Sequence, residues 1–478
     1  MKFSRTYLSL ICSAILAGGG LTACSSDGGS ATTSGGSAKV TSGVITGFGS
    51  VFVNGVEYQT TNAAVKVDGA DGNENDLAIG MVVKVKGSVD SDGTHGTASS
   101  IEFNDEMQGS VSAVNLTNGT GTIDVMGQSV IVAADTVFES KVAGITSIDM
   151  LQVGNIVEVS GYSNGNGAVY ATRIEVKSAS HSAGEEIEVK GKISNLDTTA
   201  MTFSLGDLTV DYSNANLSNF PSAGIANGQF VEVATTTDVT NNLLIATKVE
   251  MKNADNKHVD GKENDELQLE GVVSADLADN QFMLNDQIVI VDDSTEYDNG
   301  GVMDIVMGVK MQVEGRLDAD SNLIASHVKF RAEASSEMFA PVDAISTDTN
   351  TFTVMGIEIH VNTLTRMSDQ QDGNNMTPVR YFSLADIAAG DWIEVRYYQD
   401  TSGNYVATEV KRDDAPTNAI VTLSGVIDQV AQSGLLVVSG INVDASVSNA
   451  VFTDGQKVEV TGSFTNGTLV ATAISIDN

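Results

Sequence analysis

Gly154-Asn155-Ile156-Val157-Glu158-Val159-Ser160-Gly161 is the stretch whose reading decides the fold. After its first Gly, apolar and polar residues alternate, the period of a strand with one face buried and one face wet. The pattern Gly-x-x-apolar-x-Val begins at Gly80, Gly154, Gly228, Gly308, Gly390 and Gly455. Its apolar pairs are Val83/Val85, Val157/Val159, Val231/Val233, Met311/Val313, Ile393/Val395 and Val458/Val460. Between them stand Lys84, Glu158, Glu232, Gln312, Glu394 and Glu459, and in four copies a Gly closes the strand (Gly87, Gly161, Gly315, Gly462). A segment repeated at this spacing means one structural unit used many times.

Working outward, each copy continues into a second landmark: Ala98-Ser99-Ser100-Ile101, Ala171-Thr172-Arg173-Ile174, Ala246-Thr247-Lys248-Val249, Ala325-Ser326-His327-Val328, Ala407-Thr408-Glu409-Val410 and Ala471-Thr472-Ala473-Ile474. Polar turns such as Asp90-Ser91-Asp92-Gly93 join the two strands into a hairpin. Upstream, a Gly-x-apolar strand opens most copies (Gly43, Gly109, Gly191, Gly271, Gly425); the fifth carries Pro341 instead. A further hairpin follows, clearest at Val53-Asn54-Gly55-Val56, where Asn-Gly is a favoured two-residue turn. The connection before the landmark Gly, for example Leu77-Ala78-Ile79 or Ser383 to Ala389, reads as one helical turn stopped by Gly. Three strands, a connection and two strands predict an all-β chain of about six small five-stranded OB-like barrels. Their expected spans are 42–105, 106–178, 186–252, 264–331, 337–412 and 417–478. Units this small bury only about 60% of their unfolded surface, so neighbours are expected to lean on each other in an elongated array.

The start of the chain is of another kind. Residues 1–23 have Lys2 and Arg5, a short apolar run and small residues, the layout of a secretory signal. Leu21-Thr22-Ala23-Cys24 resembles the lipobox of bacterial lipoproteins, which implies lipidation at Cys24. In that pattern Ser25, rather than Asp, implies the outer membrane. Residues 24–41 are Gly/Ser/Thr-rich, a flexible tether. Once Lys2 and Arg5 leave with the signal, 62 acidic side chains face 23 basic ones, a net charge of −39. A body this acidic repels polyanions, which excludes nucleic acid as a partner. Only Cys12 and Cys24 are present, so the barrels have no disulfide.

The residues that carry chemistry are few. Gly161-Tyr162-Ser163-Asn164-Gly165 matches a nucleophile elbow in letters, but it closes a strand and enters a hairpin, with His181 the nearest histidine. His95, His181, His258, His327 and His360 are dispersed, without metal-binding spacing. No catalytic set emerges, and the chain is read as non-enzymatic without a cofactor. Two acidic loops offer a calcium site, with ligands Asp68, Asp71, Asn73 and Asp76 in the first copy and Asp369, Asp372 and Asn374 in the fifth. Neither has the spaced pattern of a calcium loop with a distal Glu, so solvated turns are the expected reading. Trp392, Tyr397 and Tyr398 form an aromatic group in the fifth copy, suited to stacking a sugar ring or to packing against a neighbouring barrel.

The Gly-x-apolar opening, the Gly-x-x-Val-x-Val-x-Gly strand and the Ala-Thr-x-Ile strand resemble the bacterial module known as domain of unknown function 5666. The resemblance covers nearly all of residues 42–478 and implies several copies on an exported lipoprotein, with no catalytic residues to carry over. The expectation is a lipid-anchored scaffold, spacer or adhesion surface in the outer membrane, periplasmic or surface-exposed. Its partners are the membrane and other envelope or extracellular components. The alternative is a lipoprotein that binds glycan or calcium through module 5 or the acidic loops.

Overall fold

The structure is a computed structural model that describes residues 37–163, 168–252, 263–285, 287–371, 381–432 and 434–476. Cys24, Asp372 and Asn374 lie outside the described residues, as does His258.

Barrel 2 shows the unit most plainly. Its strands are Met107–Thr117, Thr120–Val125, Gln128–Ser140, Ile156–Ser163 and Val169–Ser178. First pairs with second and second with third, antiparallel; third pairs with fifth, parallel; fifth pairs with fourth, and fourth closes back on first. This is a closed five-stranded OB-like barrel. Barrels 1, 4, 5 and 6 repeat the wiring. In barrel 3 it is spread over shorter strands that fall into two sheets.

The repeated residues do repeated mechanical work. The landmark Gly has φ between +82° and +96° in all six copies, a left-handed conformation that a side chain disfavours. There its N–H reaches the first strand of its own barrel: Gly80 to Ile45, Gly154 to Val111, Gly228 to Ile193, Gly308 to Val273, Gly390 to Val342 and Gly455 to Ile427, each at 2.8–2.9 Å. Each first-strand residue returns a hydrogen bond to the carbonyl following the Gly, as Ile45 does to Met81 at 2.9 Å. The closing Gly sits where the fourth and fifth strands slip register at a bulge. A Cβ at Gly87, Gly161, Gly315 or Gly462 would run into the carbonyl of Thr97, Tyr170, Ile324 or Val470. The Ser or Thr of the second landmark seals this bulge. Ser99, Ser326, Thr408 and Thr472 donate across it to the carbonyls of Lys86, Glu314, Arg396 and Thr461, at 2.9–3.3 Å, and Thr247 makes the matching bond to Ala234 in barrel 3 at 3.1 Å.

Among the described residues, four connections contain a short 3-10 turn, at Glu74–Asp76, Ile148–Met150, Val302–Asp304 and Leu384–Asp386. In barrel 1 this turn lies just before Leu77-Ala78-Ile79 rather than on it, because Asn73 and Asp76 form a capping box that fixes its N-terminal end. Ser37–Phe48 is already strand, so the ladder begins inside the stretch read as tether. Backbone pairing on both sides, to Val82–Val89 and to Glu266–Ala278, overrides the local Gly/Ser/Thr composition.

The barrels are not joined in single file. First strands pair across barrels 2 and 3 (Met107 with Val189) and across 5 and 6 (Met338 with Leu423). Barrel 1 instead pairs with barrel 4, in parallel, from Lys39–Glu266 to Ser42–Leu269. Barrels 2 and 3 share one apolar core, as do 5 and 6. Val44, Tyr162 and Val272 meet where barrels 1, 2 and 4 converge. The expected wet strand face is corrected in three copies: Glu158, Glu232 and Gln312 alternate with the core residues as read, yet all three are buried.

Candidate functional site

The side chains offered as calcium ligands in the acidic loop of barrel 1 occupy turns and a short strand. Asp68 occupies the turn between Ala64–Val67 and Ala70–Gly72 with φ +48°. Asp71 lies in the second of these strands, exposed. Asn73 and Asp76 spend their side chains on the 3-10 turn: Asp76 Oδ2 accepts from the Asn73 N–H at 2.8 Å and from Asn73 Nδ2 at 2.7 Å. In barrel 5, Asp369 is clamped by Arg412, whose Nε donates to Oδ1 at 3.0 Å and whose Nη2 donates to Oδ2. That hydrogen bonding holds its carboxyl below the usual carboxylate range.

The structure gathers a different group. Among the described residues, the one set of three carboxylates whose oxygens lie within 4.8 Å of one another is Asp68, Asp105 and Glu188. Lys190 stands among them, with Nζ 2.6 Å from Asp105 Oδ1, 2.9 Å from the Asp105 carbonyl oxygen and 3.1 Å from Glu188 Oε1. Asp105 is 3% and the Lys190 side chain 9% exposed, so this pair is buried at the meeting of barrels 1, 2 and 3, with Asp68 at the exposed edge of the cluster. Burial pushes the Asp105 carboxyl well above its ordinary range. Burial would also lower the Lys190 ammonium, but Asp105 and Glu188 outweigh it and raise it. No sequence pattern marks this cluster, because Asp105 follows a strand end and Glu188 and Lys190 sit at ordinary polar positions of a strand two barrels away.

The aromatic group of barrel 5 is divided by the fold. Tyr397 continues the alternation of Ile393 and Val395 inward and is fully buried, with its ring edge-on to Tyr405 at 5.6 Å. Its hydroxyl donates to the Ser439 carbonyl of barrel 6 at 3.4 Å, and burial pushes its pKa up. Tyr397 thus packs a joint between barrels and offers no surface to a sugar. Trp392 is half-buried, its ring tilted against Phe339 at 5.1 Å, and Tyr398, next to Tyr397 in sequence, is half-buried as well.

A concavity lies elsewhere, a crevice of about 1310 Å³ between barrels 1, 2, 5 and 6. Trp392, Tyr397 and Tyr398 do not line it. Its walls include the outward strand faces of barrels 2, 5 and 6, with Glu158, Glu394, Glu459, Arg173, Arg366 and Lys411. Most of these charges are paired, as Lys177 with Glu158 at 2.7 Å and Lys411 with Glu394 at 2.7 Å. Ser163 ends its strand, and His181 Nε2 lies 2.9 Å from the Glu185 carbonyl oxygen.

Residues 38–102, 108–175, 190–250, 270–329 and 340–411 each match the family described as Domain of unknown function (DUF5666). The chain belongs to this family. The five matched segments fall on barrels 1 to 5. Barrel 6 has no matched segment, yet it keeps the Gly455 closure, the Gly462 bulge and the Thr472 seal of the other DUF5666 barrels. A comparison with curated proteins returns no match.

Proposed function

We propose that this DUF5666 protein is a non-enzymatic, lipid-anchored scaffold or spacer of the bacterial outer membrane. The observation that supports it most is the joining of barrels through their first strands and shared cores. Backbone ladders between 1 and 4, 2 and 3, and 5 and 6 resist bending better than flexible linkers do. A stiff acidic body on a Gly/Ser tether suits a part that holds other components at a distance. Cys24 supplies the anchor in this reading. Among the described residues no helix is long and apolar enough to cross a membrane. The test is metabolic palmitate labelling with membrane fractionation: the native chain takes label and sediments with the outer membrane, and Cys24→Ser loses both. Label retained by Cys24→Ser would overturn the anchor.

A second reading, ligand binding, is supported by the crevice, since Arg173 and Arg366 are buried in its wall and each has an Nε without a hydrogen-bond partner. Arg366→Ala would then weaken binding of a small carboxylate, and unchanged binding would remove this reading.

A further inference from the structure

We propose that Lys190 and Asp105 condense into an intramolecular amide, a covalent staple that fixes the segment between barrels 1 and 2 to the first strand of barrel 3.

The geometry brings the two reacting groups together. Nζ is 2.6 Å from Asp105 Oδ1 and also held by the Asp105 carbonyl oxygen at 2.9 Å, so the nitrogen cannot swing away from the acid. Strand pairing fixes both backbones: Lys190 is opposite Glu232 in barrel 3, and Glu188 and Val189 are opposite Gln108 and Met107, two residues beyond Asp105. Reactants held this way react as one molecule, with the entropy of encounter already spent by folding. A third group is in place to assist, because Glu188 Oε1 is 3.1 Å from Nζ, and oxygens of Glu188 and Asp68 lie within 4.8 Å of the Asp105 carboxyl.

The step balances without a co-reactant. Lys190 passes a proton to a neighbouring carboxylate, and its lone pair attacks Cγ of the protonated Asp105 carboxyl. The N–C bond forms, the C–OH bond breaks, and the hydroxyl departs as water with a proton relayed by Glu188. Ammonium and carboxylate become amide and water, with no change of oxidation state. Burial favours the product, since two charges kept from water are replaced by one neutral group. Asp68, Asp105, Glu188 and Glu232, the last 3.8 Å from Lys190 Nζ, outnumber the ammoniums of Lys190 and Lys252, which promotes protonation of Asp105; its carboxyl is the one burial pushes highest. The same acids keep Lys190 charged most of the time, so the reaction is a slow, single event after folding. Such a bond also gives the barrels a covalent tie that their lack of cysteine denies them.

The test is mass spectrometry of the purified chain. The native protein should be lighter than its sequence by one water. Trypsin should fail to cut after Lys190, and the peptide holding Lys190 should be joined to the one holding Asp105. Asp105→Asn should lose ammonia in place of water and give the same branched peptide, while Asp105→Ala should stay at full sequence mass. Glu188→Gln should also stay unlinked while keeping the native circular dichroism. A native chain at full mass, cut after Lys190, would overturn the proposal. So would a lost water with the two peptides found separate, an outcome that needs no variant to fold.

Discussion

In barrel 6, Thr472 donates across its own bulge to Thr461 at 3.1 Å, and the landmark Gly455 has no neighbour where a Cβ would stand. In barrel 2 the equivalent Thr172 turns away from its own bulge and donates at 2.7 Å to the carbonyl of Gly80, the landmark Gly of barrel 1. Arg173 Nη1 reaches the Ile79 carbonyl at 3.4 Å, and the Val82 N–H donates to Ser160 Oγ at 2.9 Å. A Cβ on Gly80 would press on the Thr172 carbonyl oxygen, Val137 and Arg173. The same motif residues close a barrel in one place and form a socket for a neighbour in the other. One consequence is that motif conservation within a copy does not reveal which copies touch.

The largest effect expected on this comparison comes from the cores. Val159→Asp places an unpaired charge in the core shared by barrels 2 and 3, at a cost of several kcal/mol against a margin of about 5–15 kcal/mol. Val460→Asp does the same to the core of barrels 5 and 6. Hydrogen exchange should show the first substitution also releasing protection at Gly80 to Val82, because their socket is lost. Barrel 1 left fully protected by Val159→Asp would break the comparison.

Gly80→Ala against Gly455→Ala is next in size. Both force a side chain into the left-handed region, which costs roughly 1–2 kcal/mol. Gly80→Ala adds overpacking against barrel 2, typically about 1–3 kcal/mol, so its melting temperature should fall further. Equal losses would mean that the socket is looser than its geometry.

Much of this fold was legible before any coordinates. Alternating Val pairs mark the buried strand face because side chains alternate across a strand, and the six landmark Gly residues mark chain reversals that need positive φ. The Ala-Thr strand could be placed but not explained: the use of its hydroxyl depends on a bulge formed with a strand a hairpin away. What stayed hidden depends on contacts between distant copies. Glu158 reads as an outward polar residue, yet it is buried in the wall of the crevice between barrels and paired with Lys177 at 2.7 Å, so Glu158→Lys should destabilise the chain. Tyr397 looks like a surface aromatic among several, and only the barrel 5–6 joint shows why it is inside. Asp68 was legible as a turn residue, while its approach to Asp105 and Glu188 required barrel 3 to be placed.

A smaller effect separates the two residues at the bulge. Thr172→Ala removes a hydrogen bond from a buried hydroxyl and leaves the Gly80 carbonyl short of a donor, a loss of about 1–3 kcal/mol. Thr472 is exposed, and Thr472→Ala should stay within about 0.5 kcal/mol. Thr172→Ser should recover most of the loss, because it restores the hydroxyl. A Thr172→Ser chain no better than Thr172→Ala in urea unfolding would assign the effect to packing of the methyl group.

The smallest effect distinguishes two of the joints that barrel 1 makes, those with barrels 2 and 4, through their response to acid. Its joint with barrel 2 relies on a hydroxyl and a carbonyl, Thr172 to Gly80, which do not titrate. Its joint with barrel 4 includes Lys39, paired with Glu314 at 3.4 Å. Burial would raise the Glu314 carboxyl, but Lys39, Lys329 and a hydrogen bond from Gln268 bring it from 4.5 to about 2. A carboxyl lowered in the folded state contributes its stability above its unfolded pKa and loses it as pH falls toward the folded one. The contribution is therefore complete above pH 4.5 and fades between 4.5 and about 2. Glu314 is partly open to solvent, so screening keeps the effect at roughly 1 kcal/mol or less. The native chain should melt above Glu314→Gln at neutral pH, and the gap should narrow on acidification through this window. Added salt at neutral pH should narrow it too, while leaving the Thr172→Ala difference in place. A gap that stays constant from neutral pH to pH 3 would show that the Lys39–Glu314 contact contributes shape and no charge to the joint.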